Sequence, residues 1–326
     1  MATCDRSQGV QTIAHVPGFP WSVASAGGII YVASQIPPAD GSPFSSTQST
    51  LYRVDADGSA HAVTDDFVDP YSVTSLGSTL AFLHVIFTAG GVPYDDAVET
   101  IAADGSLTTL ESSSDQTSFS ALTSDGASEF HWYRWAPDRD ANSIPAIERS
   151  APSSAPTELA IGPDVTGVGD FATDGASYFA AFVRADSSAA LGRMPVDDTP
   201  ALELVNDPNA QVAGVDSKNV YYLTSPPGQQ RSQLWSVSKS GGSPTALASL
   251  PPIPRVVLRD GTAYWIEYES TQDNIMSVSL DGLSQTSEVS ATSLFIASIA
   301  ANECGLVMAA SDPDDGESTI VMQLPL

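Results

Sequence analysis

Val212-Ala-Gly-Val-Asp216, Val220-Tyr-Tyr-Leu-Thr224, Gln233-Leu-Trp-Ser-Val237 and Pro244-Thr-Ala-Leu-Ala248 follow one another as four short β-rich runs. Clusters of Gly, Pro, Ser and Asp separate them, which is the pattern of an antiparallel meander. The next stretch repeats it with Val256-Val-Leu-Arg-Asp260, Ala263-Tyr-Trp-Ile-Glu267, Asn274-Ile-Met-Ser-Val278 and Thr286–Val289. Near the start, Ser22–Ser25, Ile29–Ser34, Leu51–Asp55 and His61–Val63 do the same. Across the whole chain, a tight turn leads into an aromatic-rich strand at Gly27, Gly77, Gly126, Gly175, Lys218, Gly261 and Gly305, in steps of 50, 49, 49, 43, 43 and 44 residues. A period of that length is one four-stranded blade, and seven blades make a ring. No helical periodicity is present, so the expected fold is all-β, a seven-bladed β-propeller.

The seventh unit has three strands, Ala297–Ala301, Leu306–Ala310 and Thr319–Leu324. One strand, Gln11–Val16, is spare ahead of the first blade. It is expected to complete the last blade, which closes the ring and removes exposed sheet edges. The chain then reads as one domain over 1–326, with blades starting near 22, 72, 120, 168, 212, 255 and 297. The third and fourth strands of the third blade, Pro145–Ala151 and Pro156–Ile161, are the vaguest in pattern.

Turn chemistry repeats as well. Asp55-Ala-Asp57-Gly58-Ser59, Ala103-Asp104-Gly105-Ser106, Ser240-Gly-Gly-Ser243 and Asp281-Gly282 join third to fourth strands. Ser124-Asp-Gly126, Thr173-Asp-Gly175 and Arg259-Asp-Gly261 join first to second strands. Asp-Gly between apolar runs predicts hairpins whose two central residues both take positive φ. The acidic residues at these turns are read as turn formers rather than calcium ligands.

The second-strand motifs Ile30-Tyr31-Val32, Val220-Tyr221-Tyr222 and Ala263-Tyr264-Trp265 resemble those of secreted bacterial β-propellers of the YWTD and TolB-like type. So do the third-strand motifs Leu51-Tyr52-Arg53-Val54 and Leu234-Trp235-Ser236-Val237. The resemblance covers nearly the whole chain through loose motifs. The YWTD tetrad, the GH…WD pairs of WD40 repeats and the double glycines of kelch repeats are all missing. It implies a fold and an extracytoplasmic location (secreted, periplasmic or cell-surface), not an activity.

Charge excludes some partners. Twelve Lys and Arg face 39 Asp and Glu, a net charge of −27, and Lys218 and Lys239 are the only lysines. Such a surface repels nucleic-acid phosphates and anionic membranes. No apolar run reaches the roughly 20 residues of a membrane helix. The protein is expected to be a monomer. Met1-Ala-Thr-Cys4 lacks the apolar core of a secretory signal and reads as the start of a mature domain. The two cysteines, Cys4 and Cys304, precede the spare strand and sit in the first turn of the last blade. They are expected to pair across the closure, adding on the order of 4–5 kcal/mol through chain entropy and implying an oxidising compartment.

Propeller ligands commonly sit at the mouth of the central channel. Aligning first strands on their turns places Trp21, Tyr71, Asp170 and Arg255 at the lining, among mostly small or apolar residues. Phe19, Phe67, Asp66 and Asp69 lie on the same face in the preceding loops. Aromatic faces beside carboxylates suit a sugar, a peptide or an organic cation. Trp21 and Tyr71 either line this mouth or fill the gap between blades. Asp170 and Arg255 either serve a ligand or form a structural ion pair. Second-to-third-strand loops are long in the first three blades (Gln35–Ser49, Thr88–Asp95, Trp135–Ser143), and unequal loops on one face suggest a shaped surface. Arg134-Trp135-Ala-Pro-Asp138-Arg139-Asp140 is the most ligand-like of them, and Trp135 and Arg139 join the candidate residues.

Dedicated catalytic motifs are missing. His15, His61, His84 and His131 form neither HxH nor HExxH spacing, and no GxSxG elbow or P-loop occurs. His84 and His131 read as ordinary strand histidines, with a shared metal as the alternative. Asp312-Pro-Asp314-Asp315-Gly316-Glu317 gathers four carboxylates, so calcium is the cofactor the sequence suggests. The leading reading is a propeller that binds a small organic molecule, glycan or peptide at its channel mouth. The alternatives are a hydrolase or lyase in the same mouth, with or without a divalent cation, and a protein-interaction scaffold.

Overall fold

The computed structural model describes residues 9–35, 49–64, 68–87, 94–113, 118–135, 146–160, 165–184, 186–196, 199–207, 209–225, 228–252, 254–283, 285–312, 314 and 318–326. The described elements are all strands, and they form a seven-bladed β-propeller of four-stranded antiparallel sheets. Gln11–Pro17 (β1) comes first. Blade 1 then holds Phe19–Ala26 (β2), Ile29–Gln35 (β3), Ser49–Val54 (β4) and Ala60–Thr64 (β5). Blade 2 holds Val68–Leu76 (β6), Thr79–Phe87 (β7), Tyr94–Ile101 (β8) and Leu107–Ser112 (β9). Blade 3 holds Ser118–Ser124 (β10), Phe130–Trp135 (β11), Ala146–Ser150 (β12) and Thr157–Ala160 (β13). Blade 4 holds Val165–Thr173 (β14), Ser177–Arg184 (β15), Ala189–Pro195 (β16) and Leu202–Val205 (β17).

Blade 5 holds Gln211–Val215 (β18), Asn219–Thr224 (β19), Ser232–Ser238 (β20) and Thr245–Leu250 (β21). Blade 6 holds Val257–Arg259 (β22), Thr262–Tyr268 (β23), Asp273–Ser279 (β24) and Ser287–Thr292 (β25). Blade 7 contributes Ile296–Asn302 (β26), Gly305–Ser311 (β27) and Ser318–Pro325 (β28), and its outermost strand is β1. β1 runs antiparallel to β28, with Gln11 opposite Gln323 and Pro17 opposite Ser318. The closing strand therefore lies where the missing fourth strand of the last blade requires it.

The described residues divide into two compact units. One comprises 1–114, 268–274 and 290–326, and the other 115–267 and 275–289. Each has apolar layers between neighbouring blades. In the first unit, Tyr31, Leu51, Leu80, Phe82 and Ile101 pack blade 1 on blade 2. Val16, Val23, Val32, Val307 and Val321 pack blade 7 on blade 1. In the second unit, Phe171, Tyr178, Phe182 and Met194 pack on Tyr133 and Ile147, and Tyr221 and Leu234 pack on Trp265 and Val278. Second strands supply the largest buried rings because they lie in the middle of each sheet, covered on both faces.

Most of the Asp-Gly turns differ from the sequence expectation, and Asp260-Gly261 meets it. Gly58 and Gly105 take φ of 84° and 87°, but Asp57 and Asp104 stay on the ordinary side. Each turn is a three-residue loop: Gly58 N–H donates to Asp55 O, and Asp55 N–H to Ser59 O, both at 2.9 Å. The aspartate carboxylate accepts the Ser59 amide at 3.0 Å and its hydroxyl at 2.6 Å, and Asp104 does the same for Ser106. This local bonding holds the aspartate in a right-handed conformation and leaves only the glycine left-handed. Turns with both residues at positive φ occur at Gly27-Gly28, Gly241-Gly242 and Asp260-Gly261.

Candidate functional site

First strands carry an irregularity at nearly the same height in six of the seven blades. In β2 the register slips between Pro20 and Ser22, so Trp21 is an extra residue against β3. In β6 it slips between Val68 and Val73, in β10 between Ser120 and Thr123, and in β14 between Val168 and Phe171. In β18 the slip spans Val212 to Gly214, and in β26 Ile296 to Ser298. β22 pairs regularly over its three residues, and Arg255 lies two residues ahead of it. A bulge breaks the alternation of side chains and re-aims the extra residue. The sequence-aligned candidates fall on these bulges: Trp21 in β2, Asp69 and Tyr71 in β6, and Asp170 in β14.

Their settings differ. Trp21 is half-buried, Asp170 is exposed and Arg255 is half-buried. Trp21, Asp69 and Tyr71 belong to the first unit, and Asp170, Arg255 and Trp135 to the second. Trp135 is the last residue of β11. Asp66 and Arg139 lie outside the described residues, as do the bodies of the three long loops. Arg134, counted with the ligand-like loop, is committed to its own sheet. Its guanidinium lies 3.1 Å from the buried Glu148 carboxylate and also binds Glu158.

The histidines fall into different environments. His84 Nδ1 sits 3.1 Å from Glu99 in the same blade, and that contact holds the Glu99 carboxyl below its usual value despite burial. His15 and His61 pair with Asp312 and Asp55 at 3.4 and 3.5 Å. The Asp312 carboxylate also accepts the Asp314 amide, while Asp315, Gly316 and Glu317 lie outside the described residues. His131 is buried, its Nδ1 2.9 Å from the Tyr178 hydroxyl of blade 4. Burial lowers its pKa to about 4, outweighing the opposing pull of Asp125 and aided by Arg149. Burial pushes the Tyr178 phenol up.

Two arrangements were not foreseen in the sequence. Asp125, Glu129 and His131 each offer a ligand atom, and these lie within 4.8 Å of one another. Tyr268 and Phe295, both exposed, stack at 5.9 Å with 23° between their planes. Asp125 and His131 were visible, but as a turn former and a strand residue. Glu129 lies one residue ahead of β11 and two from His131, so its nearness to the ring shows only once the strand frame is fixed.

No protein-family profile matches the sequence, and no curated protein matches it. Solved structures do. Acylaminoacyl peptidase of Pyrococcus horikoshii matches with a TM-score of 0.65 at 10% identity, over 94% of this chain and 51% of that one. The β-propeller domain of the trilobed protease from Pyrococcus furiosus, described as having an open velcro topology, matches with a TM-score of 0.64 at 7% identity, over 94% of both chains. TolB from Acinetobacter baumannii matches with a TM-score of 0.52 at 14% identity, over 79% of this chain and 63% of that one. The chain thus spans about half the length of the acylaminoacyl peptidase. At these identities the likeness establishes the β-propeller fold. Here β1 closes the last blade, in contrast to the open topology described for the Pyrococcus furiosus domain.

Proposed function

We propose that the protein is an extracytoplasmic binding propeller, taking a peptide, glycan or small organic molecule at the channel-mouth ends of its first strands. The observation that carries this reading is the set of first-strand bulges that coincide with Trp21, Asp69, Tyr71 and Asp170. Bulges that re-aim polar and aromatic side chains recur beside binding sites, and an aromatic ring next to a carboxylate suits an apolar or cationic group. Arg255, Trp135, Asp66 and Arg139 complete the proposed set. Among the three ligand classes, peptides draw support from the structural likeness to peptidases and to a protease propeller domain.

The test is a thermal-shift screen of peptides, glycans and metabolites, followed by Trp21→Ala and Asp170→Asn. A ligand whose affinity falls at least tenfold in either variant, with unchanged circular dichroism, supports the reading. A ligand that binds both variants as tightly as the parent rejects it. The likeness to peptidases favours a second reading, a hydrolase role exercised with a further domain or partner. Cleavage of chromogenic peptide substrates, measured alone and in extracts, separates the two.

The oxidising compartment rests on a proposed Cys4–Cys304 disulfide. Cys4 lies outside the described residues. Cys304 sits in the turn after β26, where the Asn302 carboxamide accepts its amide at 2.9 Å. Gln323, opposite Gln11 at the start of β1, reaches Asn302 at 3.4 Å. The chain therefore enters β1 at the same end of blade 7 as Cys304, within reach of a seven-residue leader. Intact mass measured without reductant, before and after alkylation, decides it. Two alkylated thiols would exclude the bond.

A further inference from the structure

The second unit repeats one turn three times, and its aspartate meets a different partner each time. Asp174 in blade 4 and Asp216 in blade 5 each accept two backbone amides through Oδ1. The Oδ2 of Asp174 is met by the Lys239 ammonium at 2.6 Å, and that of Asp216 by the Tyr221 hydroxyl at 2.6 Å. Asp125 in blade 3 accepts three amides through Oδ1, from Ala127, Ser128 and Glu129. Its Oδ2 has only the Ser128 hydroxyl at 3.2 Å among the described contacts.

Strand register shows what replaces the donors. His131 lies opposite Arg149 as Phe179 lies opposite Arg193, so His131 holds the place of Phe179. Glu129 likewise holds the place of Ser177. The position of Lys239, whose amide bonds to Lys218 O, is taken in the preceding blade by Val196, whose amide bonds to Ala176 O. Asp125 therefore has Val196 of blade 4 at the position where Asp174 has Lys239 of blade 5, and blade 3 carries a second carboxylate and an imidazole beside it. His131 Nε2 is buried without a hydrogen-bond partner, while Nδ1 is held by Tyr178. Glu129 has Arg149 at 3.4 Å, a long contact that an ion could displace.

We propose that Asp125, Glu129 and His131 form a binding site for a divalent transition-metal ion of the zinc class. Two carboxylates and one imidazole are a ligand set such ions accept, whereas calcium prefers oxygen alone. The Tyr178 contact orients the ring, as outer hydrogen bonds do for metal-bound histidines. A tetrahedral ion spaces its ligand atoms about 3.3 Å apart, so atoms now within 4.8 Å of one another need draw in by at most about 1.5 Å.

The test uses the full chain, stripped with chelator and titrated with Co²⁺, Zn²⁺ and Ca²⁺ at about 150 mM salt to screen loose binding to the acidic surface. Blade 4 supplies tolerated replacements, Glu129→Ser and His131→Phe. The parent should bind one Co²⁺ or Zn²⁺ at micromolar or tighter affinity, with the intense visible band of four-coordinate Co²⁺. Each variant should weaken binding at least thirtyfold and abolish that band. If His131→Phe fails to fold, Glu129→Ser carries the test alone. Absence of stoichiometric transition-metal binding, equal binding by the variants, or binding of Ca²⁺ only would overturn the proposal.

Discussion

Blade 4 is one continuous stretch of chain, whereas blade 7 is stitched from both chain ends, and the two hold together by different means. In blade 4 the fit is apolar and close. A Cβ on Gly192 would fall 2.0 Å from the Phe182 ring and 2.9 Å from Leu202 O, so glycine lets the ring lie on the neighbouring backbone. Around β1 polar fasteners are added to the apolar packing of Ala14 and Val16. Thr319 Oγ1 donates to Gly18 O at 2.7 Å, and Ser34 Oγ to Pro17 O at 2.6 Å. Gly58 brings the blade 1 turn against β1, where a Cβ would meet Ile13 O at 2.5 Å. A contiguous sheet gets its register from short turns. A strand arriving from some 300 residues away needs side chains that fix where it stops.

The largest effect expected follows from removing the seam. Deleting residues 1–17 strips Ala14 and Val16 from their cluster and exposes the edge of β28. The loss should be roughly 5 kcal/mol or more, and the protein should aggregate through the unpaired strand. A soluble monomer with unchanged melting would show that β1 is dispensable. If the Cys4–Cys304 bond forms, reduction or Cys304→Ser should cost about 5 kcal/mol in the chain-entropy model, read as a lower midpoint in urea. Gly192→Ala tests the contiguous blade. It should cost about 3 kcal/mol by overpacking, and Phe182→Leu in the same chain should recover part of it. No recovery would mean that the Leu202 carbonyl, not the ring, sets the limit.

Most of the scaffold was legible because a propeller repeats its own signals. The second strands announce themselves through aromatic runs such as Val220-Tyr-Tyr-Leu-Thr224, and the unpaired Gln11–Val16 had one vacancy to fill. Turn conformation was less legible. Whether Asp57 takes positive φ depends on its hydroxyl and amide bonds to Ser59, a competition that composition does not encode. The candidate site was legible in part. Alignment on the turns reached the bulged positions without revealing that they were bulges, because an extra residue shows only against its partner strand. The cluster at Asp125 stayed hidden because its meaning lies in a comparison of register among three blades.

The smallest expected effect is also the sharpest test of how the seam is held. Thr319 is fully buried, and its hydroxyl bridges blade 7 to the entry of blade 1. Thr319→Val keeps the shape, removes the donor and leaves the Gly18 carbonyl short of one partner, so about 1–2 kcal/mol should be lost. Thr319→Ser keeps the donor and removes a methyl, costing about 1 kcal/mol through lost burial. Urea denaturation of both variants separates the terms. If valine is as stable as threonine while serine is weakened, the seam is held by apolar packing like blade 4, and the contrast between the two blades fails.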